Sequence, residues 1–180
     1  RLSWVVGGFV DYSLMLSRAH HAVTHALEKT GAEKVILVGH SAGGVVGRAY
    51  LGDQMIKAHH PAHNGYARVS RLITLGSPLR AAESATRPGM KQASWVDKAY
   101  PGAYYSSVQY LTVSGKLIHG NRHGSIRERE AHDSYAWVST VGDQWGDGVV
   151  PLSMIRADRA GPSRRLPART CCAPPNRYRA

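Results

Sequence analysis

Cysteine is nearly missing from this 180-residue chain. Cys171 and Cys172 stand side by side and are the only two, which supplies neither a disulfide framework nor a cysteine zinc site and leaves the redox compartment open. Long apolar runs are missing too. Nothing approaches the 18 or so consecutive apolar residues of a membrane-spanning helix, so no transmembrane segment is expected. The length suits one domain with a sizeable core.

Acidic residues are scarce, with 12 against 23 Lys and Arg, a formal net charge of +11. The distribution of that excess excludes the function it first suggests. Residues 1–153 hold 16 basic and 11 acidic side chains, whereas residues 154–180 hold 7 arginines and one aspartate. A nucleic-acid surface would carry its charge on a folded face or along one helix. Here over half of it lies in a Pro/Arg/Ala-rich segment with little apolar content, so no nucleic-acid partner is expected. Residues 1–153 are read as a folded core and 154–180 as a basic tail that is disordered, or the product of a frame error in GC-rich coding DNA.

The most informative stretch is Val35-Ile36-Leu37-Val38-Gly39-His40-Ser41-Ala42-Gly43-Gly44. Four apolar residues, three of them β-branched, predict a strand buried on both faces. The run breaks into small residues and resumes as a plausible helix from Val45 to Leu51. A strand, a sharp turn and a helix with G-x-S-x-G across the turn make a nucleophile elbow. Glycines two residues before and after Ser41 would remove side chains that otherwise collide with backbone. Ser41 Oγ would then stand above the strand end, with the Ala42 N–H pointing where an oxyanion would form. A phosphate cradle is the competing reading, but no G-x-G-x-x-G or Walker lysine supports it.

In chain order, Asp11-Tyr12-Ser13 predicts a helix start, and Leu16, Ala19, Val23, Ala26, Leu27 and Thr30 an amphipathic helix closed by Gly31. His21 and His25 lie four apart on it, without the further ligand a metal needs. His59, His60 and His63 crowd a polar connection and lack a complementary carboxylate, so no metal site and no cofactor is expected. Val69–Leu75 is a second strand, Glu83 to Tyr100 reads as short helices, and Val108–Val113 is a third strand. Gly115 to Trp145 shows little periodicity, and its run Arg127-Glu128-Arg129-Glu130 reads as a solvated face. Helices alternating with apolar strands predict an α/β class with a parallel sheet.

Three segments together resemble the α/β-hydrolase fold in its lipase and esterase branch: Gly39 to Gly44, Leu72-Ile73-Thr74-Leu75-Gly76-Ser77-Pro78, and Gly146-Asp147-Gly148-Val149-Val150-Pro151. Tyr100-Pro101-Gly102-Ala103-Tyr104-Tyr105, Ser114-Gly115-Lys116 and Trp145-Gly146-Asp147-Gly148 are similar to uncharacterised cyanobacterial and plastid-lineage hydrolases, related to GPI inositol-deacylase-like lipases. The resemblance covers roughly Trp4 to Leu152. It implies a partial α/β-hydrolase fold, a parallel sheet with flanking helices. It also implies Ser41 as the nucleophile toward a small-molecule ester or lipid, Asp147 as the triad acid and Ala42 as an oxyanion donor. As a bare residue, Asp147 also fits a turn before an edge strand.

The chain departs from that family in three places. Triad order in this fold is Ser, acid, His, yet the last histidine, His132, precedes Asp147. Only 34 residues precede Val35, and Val5-Val6-Gly7-Gly8-Phe9 reads as a connecting segment better than as the second oxyanion loop. From Met154 onward the likeness stops, so an incomplete copy is expected. Two functions follow: a serine ester hydrolase, or a non-catalytic remnant of one. Acyl length, head group, compartment and oligomeric state are not legible.

Overall fold

The computed structural model describes residues 12–54, 62–80 and 88–155, together with the backbone of 169–173. Helix α1 (Tyr12–Thr30) precedes strand β1 (Val35–His40) and helix α2 (Ala42–Leu51). A 3-10 turn (Gly65–Ala67) leads to β2 (Val69–Leu75), α3 (Pro88–Ala99), β3 (Gln109–Gly115), β4 (Ile118–His119), α4 (Ile126–Ser139) and β5 (Trp145–Gly146). A second 3-10 turn (Leu152–Met154) and β6 (Arg169–Ala173) follow.

Four strands form a parallel sheet in the order β1-β2-β3-β6, and β4 pairs antiparallel with β5 as a separate two-stranded flap. The α/β class and the parallel sheet are as the alternation of helices and strands requires. Leu37 pairs with Leu72, and Leu72 with Tyr110, so these three share a face. That face carries α2: a Cβ on Gly47 would meet Leu72 Cδ1 at 2.8 Å and Leu37 Cδ2 at 3.4 Å. Tyr12, Leu16 and Val23 of α1 join Val45, Ala49 and Tyr50 of α2 in the same core. Gly31, at φ +67, closes α1 with its N–H on Leu27 O at 2.9 Å.

Strand β1 departs from expectation. It is buried on one face only: Ile36 is 57% and Val38 58% exposed. The reason is layering. Helices α1 and α2 lie on the Leu37 side, and among the described residues nothing covers the side of Ile36 and Val38. The apolar run therefore reflects one face packed under α1 and α2 and one that no described helix covers.

Two further differences concern the second half. Glu83 to Tyr100 holds one twelve-residue helix opened by Pro88, where short helices were expected; residues 81–87 lie outside the described residues. Packing also continues past residue 153. Met154 and Ile155 are buried with Met90, Val138 and Val150, and β6 adds Arg169–Ala173 beside β3. The boundary expected at 153/154 thus falls inside a packed cluster. Residues 156–168 and 174–180 of the expected tail, and Val5–Phe9, lie outside the described residues.

Candidate functional site

Ser41 occupies the turn between β1 and α2, at φ 53 and ψ −127. Side chains other than glycine rarely adopt such a backbone, and holding one there costs about 1–3 kcal/mol. Neighbouring contacts fix it. Ser41 N–H donates to Leu75 O at the end of β2 (2.9 Å), and Gly44 N–H donates back to Ser41 O (3.1 Å). The serine is half-buried and its side chain does not cap α2. No described residue hydrogen-bonds its hydroxyl. The Ala42 N–H opens the helix, where first-turn N–H groups lack intrahelical acceptors.

The glycines divide differently from the sequence reading. A Cβ on Gly39 would lie 2.5 Å from Gly43 O and 2.6 Å from Gly44 N, so glycine is required there. One on Gly43 would meet nothing within 4 Å. The second tight position is Gly44, whose added Cβ would sit 2.2 Å from Ser77 Oγ. Ser77 is fully buried after β2, with Leu75 O at 3.3 Å and Gly39 O at 3.5 Å from its hydroxyl. Close docking of α2 on this segment needs Gly44; Gly43 faces open space beside the serine.

Arg48 ties α2 to the rest of that end. Its buried guanidinium donates to Leu79 O (2.6 Å), to Tyr100 O and toward Asp97 (3.5 Å). Burial lowers its pKa from the usual arginine range, opposed by the Asp97 charge.

Asp147 lies at the same end of the sheet. Its Oδ2 would be 2.8 Å from a Cβ on Gly76, just after β2, and its own Cβ would be 3.3 Å from one on Gly115, at the end of β3. Gly76 follows Leu75, the residue whose carbonyl receives Ser41 N–H, so Ser41 and Asp147 stand at the carboxyl ends of adjacent strands. Asp147 Oδ1 accepts from Val149 N–H (2.8 Å) and Val150 N–H (2.7 Å), closing its own loop. Oδ2 has no hydrogen-bond partner among the described residues. One carboxylate oxygen therefore shapes the loop and the other is available.

Among the described residues no imidazole hydrogen-bonds to either Ser41 or Asp147. His119 contacts Asp143 (3.4 Å) and packs edge-on against Trp145, with ring centroids 5.1 Å apart. His123 is exposed, and His132 pairs with Asp133 at 3.2 Å. None of these three bonds Ser41 or Asp147. His21 and His25 are exposed on α1. Among the described residues there is no group of three or more His, Cys, Asp or Glu able to hold a metal, and no helix long and apolar enough to cross a membrane.

Comparison with known proteins agrees with this architecture. Residues 7–140 match the PGAP1-like alpha/beta domain. The chain belongs to that family. The PGAP1-like fold here is shared with solved structures of lipase BlEst2 from Bacillus licheniformis. The mature form superposes with a TM-score of 0.54 at 22% identity, over 81% of this chain and 62% of the lipase. The propeptide form gives 0.56 at 22% identity, over 92% of this chain and 35% of that one. The chain thus spans less than two thirds of either. No curated protein matches it in sequence.

Sequence reasoning missed the helix that supports the aspartate loop. A signal was present: Ser125-x-x-Glu128 is a capping box, in which Ser125 Oγ accepts from Glu128 N–H and Glu128 returns a bond to Ser125 N–H (2.7 Å). That bonding also holds the Glu128 carboxyl below its usual range.

Proposed function

We propose that this PGAP1-like domain carries the serine and the acid of a serine ester hydrolase, acting on a small-molecule ester or lipid through an acyl-Ser41 intermediate. The observation that carries the reading is the pairing of two unengaged groups at adjacent strand ends. Among the described residues, Ser41 Oγ has no hydrogen-bond partner at a strained strand-to-helix turn, and Asp147 Oδ2 has none beside Gly76. In the reaction, Ser41 Oγ attacks the ester carbonyl and loses its proton to an imidazole. The Ala42 N–H stabilises the tetrahedral oxyanion, and Asp147 Oδ2 orients and stabilises the imidazolium. The alkoxide leaves with that proton, and an activated water then releases the acid from Ser41. The fold of the lipase neighbours is compatible with this chemistry.

A second reading, a non-catalytic domain of the same descent, is favoured by one observation: among the described residues no imidazole hydrogen-bonds to Ser41 or Asp147. Without the base, serine is a poor nucleophile, and losing a triad histidine costs on the order of 10⁶ in kcat. The 180-residue chain should accordingly turn over a short-chain aryl ester weakly, and added imidazole should raise the rate in a saturable way. Ser41→Ala should abolish that gain. Saturable imidazole-dependent turnover above the rate of imidazole alone that survives Ser41→Ala would overturn the assignment, and a chain that adds nothing to the imidazole rate would favour the non-catalytic reading.

A further inference from the structure

Asp147 can present Oδ2 toward Gly76 only if the peptide that follows it is held in one orientation, and its own bonds to Val149 and Val150 do not fix the loop to the body. Pairing of β5 with β4 anchors Gly146 on the near side of the loop, and the attachment beyond Asp147 comes in good part from α4. Tyr135 is fully buried there, and a buried phenol requires partners. Its hydroxyl donates to Ile118 O on β4 (3.1 Å) and accepts from Gly148 N–H (2.8 Å). The Gly148 N–H belongs to the peptide plane that leaves Asp147, and Gly148 itself sits at φ +102, open to little but glycine. The ring is slotted between two glycines: a Cβ on Gly146 would lie 2.7 Å from its Cζ, and one on Gly120 3.0 Å from its Cδ2. Both packing and bonding thus fix the hydroxyl. Burial pushes the Tyr135 phenol up, opposed by the Gly148 N–H bond and aided by the Asp147 charge. The neighbouring Ser134 Oγ adds a separate stitch, to Val149 O at 3.0 Å.

We propose that Tyr135 is the positioning residue for the acid of the site, gripping the Asp147–Gly148 peptide so that Oδ2 stays turned toward Gly76 and the serine turn. This rests on the reading of Ser41 and Asp147 as catalytic groups. The hydroxyl makes no contact with substrate in this role; it acts through the carboxylate.

The test uses Tyr135→Phe, which keeps the ring in its slot and removes one oxygen. Ser134→Ala is the comparison variant, since it loosens the loop without touching the Asp147–Gly148 peptide. The first measurement is amide hydrogen exchange, in which Gly148 should lose about tenfold of its protection in Tyr135→Phe, the scale of one hydrogen bond. Unchanged Gly148 exchange overturns the grip whatever the activity. The second is the rate of Ser41 labelling by a fluorophosphonate across a range of imidazole concentrations. Asp147→Asn should cut the maximal rate at least tenfold. Tyr135→Phe should lower the same maximum several-fold while the half-saturating imidazole concentration changes less, and Ser134→Ala should lower it less than Tyr135→Phe. A response to Asp147→Asn without one to Tyr135→Phe overturns this inference and spares the site. Equal losses from Tyr135→Phe and Ser134→Ala would also overturn it, by reducing the effect to general loosening. If neither imidazole nor Asp147→Asn alters Ser41 labelling, the reading of the site itself fails, and the positioning role falls with it.

Discussion

The serine turn and the aspartate loop stand side by side at the carboxyl ends of β1, β2 and β3, yet they are held in different ways. Around Ser41 the constraint is steric and mostly local. Gly39 and Gly44 lie within three residues of the serine, and each marks a place where a single added carbon would enter backbone or a buried hydroxyl. Around Asp147 the constraint is hydrogen bonding, much of it from a distance. Tyr135 reaches back from α4, Ser134 holds Val149 O, and Arg80 N–H ties the following turn to the segment after β2 through Met154 O at 2.9 Å. Beneath it lies a small core of its own, Met90, Val138, Val150, Met154 and Ile155. Adding atoms should therefore damage the first region, and removing polar atoms the second.

The largest effect is expected at the serine turn. Gly39→Ala forces a Cβ to within 2.5 Å of Gly43 O, a backbone atom that cannot step aside alone. Overpacking of this kind typically costs 1–3 kcal/mol and occasionally more, and a loss of about 3 kcal/mol is expected in urea unfolding. Gly43→Ala, the other glycine of the G-x-S-x-G pattern, should stay within about 0.5 kcal/mol of the parent, because open space and a helical backbone receive the methyl. Equal destabilisation by the two would break the steric account.

A middle effect belongs to the aspartate loop. Asp147→Ala deletes the acceptor of two backbone N–H groups at 2.8 and 2.7 Å and should cost about 2 kcal/mol. Asp147→Asn keeps an acceptor oxygen and should cost under about 1 kcal/mol, although it removes the charge required of the triad acid. Stability and imidazole-dependent turnover should therefore separate in Asn and fall together in Ala. Midpoints of urea unfolding and aryl-ester rates on the same preparations decide this.

The same contrast explains what could be read in advance. Serine-turn geometry is written in ten consecutive residues, so an apolar run ending in Gly39-His40-Ser41 was enough to place β1, the turn and α2. Strand β2 was legible from Val69 to Leu75 for the same reason. What failed was tertiary. Nothing local told that no described helix would cover Ile36 and Val38, or that Gly44, not Gly43, would meet Ser77 across 33 residues. Helix α4 escaped because its buried positions, Ala131, Tyr135, Val138 and Ser139, are few and follow the charged run Arg127–Glu130, and only the Ser125–Glu128 box announced it. Asp147 itself came from family likeness. Its supports, Tyr135 and Ser134, lie on an element that no periodicity revealed.

The smallest effect tests whether the serine turn's helix also answers to pH, at the end away from Ser41. Tyr50, fully buried near the last turn of α2, is overlaid by His63, whose ring lies 5.7 Å from it and stacks at 4.7 Å on His20 of α1. Burial, and then the neighbouring His20, lower the His63 pKa below its ordinary value of 6.5. Among the described residues the titratable neighbours here are these two imidazoles, with Arg68 acting on the Tyr50 phenol. With the folded pKa depressed, the unfolded chain takes up the proton first. The contribution of His63 to stability is full above about pH 6.5 and declines as pH falls from there toward the folded pKa, below which it falls no further. Because the ring is only half-buried, the slope should stay well under the ceiling of ~1.4 kcal/mol per pH unit for one proton. Tm measured between about pH 7 and pH 5 should therefore drop less in His63→Asn than in the parent. Parallel profiles for the parent and His63→Asn would remove the imidazole stack from the account of how α2 is held.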